Sequence, residues 1–333
     1  MARQPLSYDP KFDALTLYES FHEEVLILSN GPVHLQVPNI DIKKRGASTQ
    51  VATPPVVWFK KDAGNYIDRA SEICARNEAA LKRSYLPAPY SPCILESEAD
   101  IVRSAALWLL HPVIIALQSE FKLVGCYAEV TIDDCRCDAL IKINGETMVV
   151  LEYKSRGYIK MHEFNQGRIQ DPSYSNRSAI LDAIDDVQER GGESAMEHNA
   201  KCLTKQAAAY ATKWKTRFVA LFDWDSFFLW HFAGLDFRSR TAKSPAGVAH
   251  DGHAAWAFGT PVRRREDYRK ALLGFVLESY QDHNNAKFEH PQEPPFEMSR
   301  QQKMKKRSDA EARRQQQLTA QQAANASVYG RRG

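Results

Sequence analysis

No apolar run in this 333-residue chain approaches the roughly eighteen residues that a membrane-spanning helix needs. The opening stretch, MARQPLSYDPKFDALTLYES, also lacks the apolar segment of a secretory signal. Both absences argue against a membrane-embedded or exported protein. Cysteine framework spacing is missing as well. Six cysteines, at 74, 93, 126, 135, 137 and 202, are scattered, so reduced thiols in an intracellular compartment are expected. Cys135 and Cys137 share one strand face, and Cys126 can face them from the preceding strand. A CxC with no second close pair reads as small buried hydrophobes rather than a zinc site.

The chain is 44% hydrophobic and 26% charged, an ordinary balance for a soluble globular protein. The formal charge of +3 is unevenly placed. Residues 299–333 hold nine Lys/Arg against two Asp/Glu; of the totals of 44 and 41, this leaves 35 against 39 over residues 1–298. The folded part is slightly acidic and the basic character belongs to the tail, which argues against tight general binding to nucleic acid by the bulk surface.

The chain divides as follows. Residues 1–94 read as an N-terminal extension with an amphipathic helix near 62–83, where Tyr66, Ile67, Ala70, Ile73 and Cys74 recur at helical spacing. Pro87, Pro89 and Pro92 break the chain after it. A core is expected over 95–235, a helical addition over 236–290, and a disordered basic, Gln-rich tail over 291–333. Residues 240–260, rich in Gly, Ala, Ser and His, read as a loop, and His250 and His253 in it read as solvated. A helix starting at Arg263-Arg264-Arg265 would bury Leu272, Leu273, Phe275 and Val276. In the tail, Lys303–Arg307 with Arg313-Arg314 reads equally as a nuclear-import signal or a solubilising basic stretch. A protein partner could order that tail.

Within the core, a long helix runs from about Ser97, its N-cap, to Gln118, interrupted near His111-Pro112. Glu98 either complements the helix N-terminus or points along the buried side. Strand 124–132 follows, then CRCDALIKINGETMVVLEYK, two strands around the turn dipeptide Asn144-Gly145. Asp138 lies on the first of these. The second ends in Glu152-Tyr153-Lys154, with Glu152 and Lys154 on one face and Tyr153 on the other. A helix over about 178–190, a helix over 204–214 carrying Gln206 and Tyr210 one turn apart, and strands at 217–224 and 227–232 complete the order. Helix, three strands, helix and two strands predict an α/β fold, a mixed β-sheet flanked by helices on both faces.

The Asp138 strand, Glu152-x-Lys154, the acidic first helix with Glu98, and Gln206-x-x-x-Tyr210 together resemble the PD-(D/E)XK nuclease superfamily, in particular its RecB-like branch with a QxxxY element. The resemblance covers residues 95–235. The proline of the family's name is absent, since Cys137 precedes Asp138, and the stretch between Lys154 and Gln206 is long. It implies a restriction-endonuclease-like core and a metal-dependent nuclease hydrolysing phosphodiester bonds in DNA. Asp138, Glu152 and the Tyr153 carbonyl would hold Mg²⁺ or Mn²⁺, with Glu98 completing the site, and Lys154 would orient or deprotonate the attacking water. Gln206 and Tyr210 would position lysine, water or phosphate. The alternative is a catalytically inactive nuclease-fold protein that binds nucleic acid or assists assembly. The expected location is intracellular, nuclear in a eukaryote and cytoplasmic otherwise, with no membrane partner.

The resemblance makes one local demand. With a two-residue Asn144-Gly145 loop and no irregularity, Asp138 would sit opposite Leu151 and point away from Glu152. A bulge or an odd loop between 138 and 152 is required to bring both carboxylates together.

Overall fold

The computed structural model describes residues 15–25, 41–42, 53–86, 95, 97–132, 135–169, 177–192, 194–233, 235 and 256–288. They belong to one compact unit, Met1–Phe288; a second, Glu289–Gly333, lies outside the described residues. The tail expected to be disordered, the basic run at 303–307, the proline cluster at 87–92 and His250 and His253 are likewise outside them.

Eight strands form one sheet: Val57–Lys60 (β1), Val124–Ile132 (β2), Cys135–Ile143 (β3), Glu146–Tyr153 (β4), Arg168–Ile169 (β5), Phe218–Phe222 (β6), Phe227–His231 (β7) and Trp256–Val262 (β8). Their spatial order is β2-β3-β4-β6-β7-β8-β1-β5. The β2-β3-β4 meander is antiparallel, β4 and β6 are parallel, β6-β7-β8 is antiparallel, and β1 is parallel to both β8 and β5. The principal helices are Gly64–Arg76 (α1), Glu98–Ala105 (α2), His111–Glu120 (α3), Met161–Asn165 (α4), Arg177–Glu189 (α5), His198–Lys213 (α6) and Tyr268–Phe288 (α7).

The apolar pattern of each element explains the layering. Tyr66 of α1, Ile101 of α2, Val113 of α3 and Phe275 of α7 pack with Ile141, Leu151, Phe218 and Leu229 on one face of the sheet. Phe164 of α4 and Leu203 and Ala207 of α6 pack with Leu140, Val150, Leu221 and Trp230 on the other. The protein is therefore an α/β fold with a mixed eight-stranded sheet covered on both faces, and the central strands β6 and β7 are apolar except for His231. Helices α1 and α7 meet at Gly274, where an added Cβ would stand 2.0 Å from the Tyr66 carbonyl oxygen.

The interruption at His111-Pro112 takes the form of a π turn over Ala106–Leu110, joining α2 to α3. Pro112 has no N–H to give to Trp108. Arg269 of α7, fully buried, donates from Nε to the Trp108 carbonyl at 2.6 Å and from Nη1 to Ser20 at 2.6 Å and Glu23 at 3.0 Å. A buried carbonyl left unmet would cost about 1–3 kcal/mol. Contrary to the sequence reading, the helical run Glu98–Glu120 is long and apolar enough to cross a membrane by length and composition. Its apolar side chains Ile101, Leu109, Val113 and Leu117 pack into the core.

Three strands stand where none was expected, the short β5 at Arg168–Ile169 among them. Val57–Lys60, in the stretch read as an extension, is β1, and Trp256–Val262, partly inside the expected loop, is β8. β8 and β1 are both interior strands, with β1 next to the edge strand β5. At Gly259 of β8 a Cβ would meet Trp58 at 2.6 Å and Phe228 at 2.7 Å, so the glycine that resembles loop punctuation is a close-packing requirement.

Candidate active site

The hairpin has the two-residue loop, with Ile143 paired to Glu146 and Lys142 to Thr147. The register then shifts: Ile141 pairs with Val149, Leu140 with Val150 and Ala139 with Leu151. Met148 is the extra residue of a β-bulge, the irregularity the site requires. Its carbonyl accepts from Thr216 Oγ1 at 2.5 Å and Ser279 Oγ at 2.7 Å, two buried hydroxyls that hold the bulge in place.

A second irregularity sits at Asp138. Cys137 and Ala139 are two apart, so a regular strand would put them on one face, yet they bury in opposite cores. Across the ladder Glu129 adopts φ 52°, and the pair Glu129/Asp138 is skipped between Ala128/Ala139 and Val130/Cys137. Pairing of β3 to β4 stops at Ala139, while β4 continues alongside β6 through Tyr153. Where the strands part, Asp138 Oδ2 accepts from the Tyr153 backbone N–H at 2.7 Å, replacing a ladder acceptor.

Glu152 is buried on the α6 side. Its Oε1 accepts from Lys154 Nζ and from Gln206 Nε2, the latter at 2.6 Å, while Gln206 Nε2 also donates to Tyr210 Oη at 2.6 Å. Oε2 is buried with no hydrogen-bond partner among the described residues. Lys154 Nζ also lies 3.8 Å from Glu98 Oε2. Glu98 is not the helix cap: Ser97 and Asp100 form a capping box, freeing Glu98 for Lys154 and the Ser155 backbone N–H. Asp138, Glu152, Lys154, Glu98, Gln206 and Tyr210 are thus gathered at one end of β4. The Tyr153 side chain points the other way, edge-on to Phe222 with ring centroids 6.1 Å apart.

The electrostatics follow from burial. Desolvation pushes the Glu152 carboxyl up to about 8; Lys154 opposes this and Asp138 adds to it. Burial alone would lower the Lys154 ammonium, but Glu152 and Glu98 outweigh it and raise its pKa, so it stays protonated. Burial also raises Glu98, against the pull of Lys154. It pushes the neighbouring Cys137 thiol up to about 12, helped by Glu152 and Asp138, so Cys137 is an inert hydrophobe there.

Among the described residues no group of three or more His, Cys, Asp and Glu side chains is disposed to hold a metal ion. The donor chemistry of two carboxylates nevertheless suits a hard divalent cation: Glu152 has an unmatched buried oxygen, and Asp138 has Oδ1 beyond the oxygen bound to Tyr153. Positive charge there would relieve the penalty on ionised Glu152. Cys74, Cys126, Cys135, Cys137 and Cys202 form no disulfide.

Sequence reasoning missed the scaffold beside the site. Arg156, two residues past Lys154, grips Asp225 through Nε at 2.7 Å and Nη2 at 2.9 Å, and Arg265 Nη2 joins at 2.7 Å. The signal in the sequence was Asp223-Trp224-Asp225, two acids at the end of an apolar strand. No family model, curated protein or solved structure matches this chain.

Proposed function

We propose that the protein is a metal-dependent nuclease that hydrolyses phosphodiester bonds in DNA, on a restriction-endonuclease-like core of the RecB-like PD-(D/E)XK kind. The observation that carries the reading is Glu152, a buried carboxylate bound through one oxygen to Lys154 and Gln206, with its other oxygen unmatched near Asp138. The order of an acidic helix, an antiparallel meander, a helix and a strand parallel to the third supports the same reading.

In this mechanism Asp138 and Glu152, with the Tyr153 carbonyl, would hold Mg²⁺ or Mn²⁺, and the ion would supply positive charge for the phosphoryl group. Lys154, kept protonated by Glu152 and Glu98, donates to the attacking water and to developing negative charge; its raised pKa favours this over proton abstraction. Gln206 fixes the Glu152 rotamer and is braced by Tyr210. Glu98, partly exposed, orients Lys154 from the substrate side. The substrate and the free thiols point to an intracellular protein, nuclear in a eukaryotic host and cytoplasmic otherwise.

The second reading is an inactive nuclease-fold protein that binds nucleic acid or assists assembly. The lack of a three-donor group among the described residues and the pairing of Lys154 with Glu152 favour it. Incubating the protein with linear and circular DNA in Mg²⁺, Mn²⁺ or EDTA separates the two. Cleavage that requires metal and vanishes in Asp138→Ala is expected. A folded protein that cleaves no nucleic acid would overturn the nuclease reading in favour of the second.

A further inference from the structure

Arg136 lies on β3 two residues before Asp138, and its Nη2 meets Glu129 Oε1 at 2.7 Å. The side chains are 59% and 64% exposed, so the pair contributes little to stability and exchanges readily. Cys135 and Cys137 bury on the α6 side, which directs Arg136 to the opposite side, toward α2 and Glu98. Burial raises the Glu98 carboxyl, and Arg136 is close enough to be among the charges drawing it back.

Glu129 is the one positive-φ residue inside a strand among the described residues. A left-handed backbone at a residue other than glycine costs about 1–3 kcal/mol and is kept where the surroundings demand it. The demand here is the skipped Glu129/Asp138 pair, the same distortion that frees Asp138. The distortion presents the acid of the site, and Arg136, with its guanidinium exposed, lies two residues before it, a backbone spacing of about 7 Å along the strand. That spacing is comparable with the step from one phosphate to the next along a nucleic-acid chain.

We propose that Arg136 grips a backbone phosphate of DNA next to the scissile one, and that Glu129 holds its guanidinium in the free protein in that phosphate's place. This rests on the nuclease reading and adds a positioning residue to it. A guanidinium fork matches carboxylate and phosphate oxygens alike, so release from Glu129 and capture by phosphate exchange one charge-assisted pair for another.

Fluorescence anisotropy of a labelled DNA duplex, titrated with the full chain in EDTA over a salt series, tests this without cleavage. Arg136→Ala is expected to weaken binding about tenfold and to reduce the slope of log K against log salt by about one. Glu129→Ala, which removes the competing anion, is expected to tighten binding a few-fold. Arg103→Ala, which deletes a charge 68% exposed and paired to Asp100, is expected to change binding much less. Unfolding curves for each variant confirm that the fold is kept. Wild type that binds DNA while Arg136→Ala binds as tightly and with the same slope, or Arg103→Ala weakening it equally, overturns this inference alone. A folded wild type that binds no DNA removes the nuclease reading with it.

Discussion

Two neighbouring parallel strands, β4 and β6, end in buried acids whose surroundings differ. After β6, Asp223 accepts from the backbone N–H groups of Ile159 at 2.8 Å, Ser226 at 2.8 Å and Asp225 at 3.2 Å, and Asp225 is forked by Arg156 and Arg265. On β4, Glu152 takes Lys154 and Gln206 on one oxygen, with the Tyr210 hydroxyl also close by, and has no hydrogen-bond partner on the other among the described residues. The first arrangement is a finished scaffold that fixes the loop after Lys154. The second leaves an oxygen whose desolvation has gone unanswered, next to another carboxylate. The contrast teaches that burial of an acid does not by itself mark a site; incomplete satisfaction beside a second acid does.

Breaking the scaffold should have the largest effect on stability. Asp225→Ala leaves two largely buried guanidinium groups without their partner and is expected to destabilise the fold by about 3 kcal/mol in denaturant titrations. Metal binding should persist in the folded fraction.

Loosening the bulge comes next. Thr216→Val removes one of the two hydroxyls on the Met148 carbonyl and is expected to cost about 1–2 kcal/mol. The double variant with Ser279→Ala should cost more than either change alone. If the bulge sets the face of Glu152, that variant should also weaken metal binding. Unchanged stability in the double variant would show that the hydroxyls do not hold the bulge.

A third buried group sharpens the contrast. Neither ring nitrogen of His231 has a hydrogen-bond partner among the described residues; the one acid facing it is Glu278, whose Oε1 lies 3.8 Å from Nδ1 and is itself paired with Lys61. Burial, with Lys61 and Arg217 nearby, pushes its pKa down to about 3 from 6.5. The unfolded chain takes up this proton near pH 6.5 and the folded one does not, so stability is whole above 6.5 and lost as pH falls toward 3. His231→Phe keeps the stacking on Phe218, at 4.3 Å between centroids, and should remove up to about 1.4 kcal/mol per pH unit of that acid slope. An identical acid slope in the variant would show that His231 is not its source.

Much of this geometry was legible locally. Asn144-Gly145 between apolar runs gave the hairpin, the one-turn spacing of Gln206 and Tyr210 gave their shared face, and Ser97 gave the start of α2. What was illegible depends on distant residues. The bulge at Met148 is held by Thr216 and Ser279, 68 and 131 positions away, and nothing in ETMVV announces it. β8 was hidden because Gly259 and Pro261 look like loop punctuation until Trp58 and Phe228 are seen against the glycine. Glu98 was ambiguous because a first-turn acid suits a helix N-terminus in any protein, and only Lys154 and the Ser155 N–H distinguish the cases.

The most direct measurement is Mn²⁺ binding to the full chain, followed by electron paramagnetic resonance, in wild type, Glu152→Gln and Asp225→Ala. Glutamine keeps the shape of Glu152 but not the charge its unmatched oxygen carries. Wild type should bind Mn²⁺ at one site, Glu152→Gln should bind at least about tenfold more weakly, and folded Asp225→Ala should bind like wild type. Equal binding by wild type and Glu152→Gln, or none by a folded wild type, would contradict the assignment of Glu152 as the open carboxylate of a metal site.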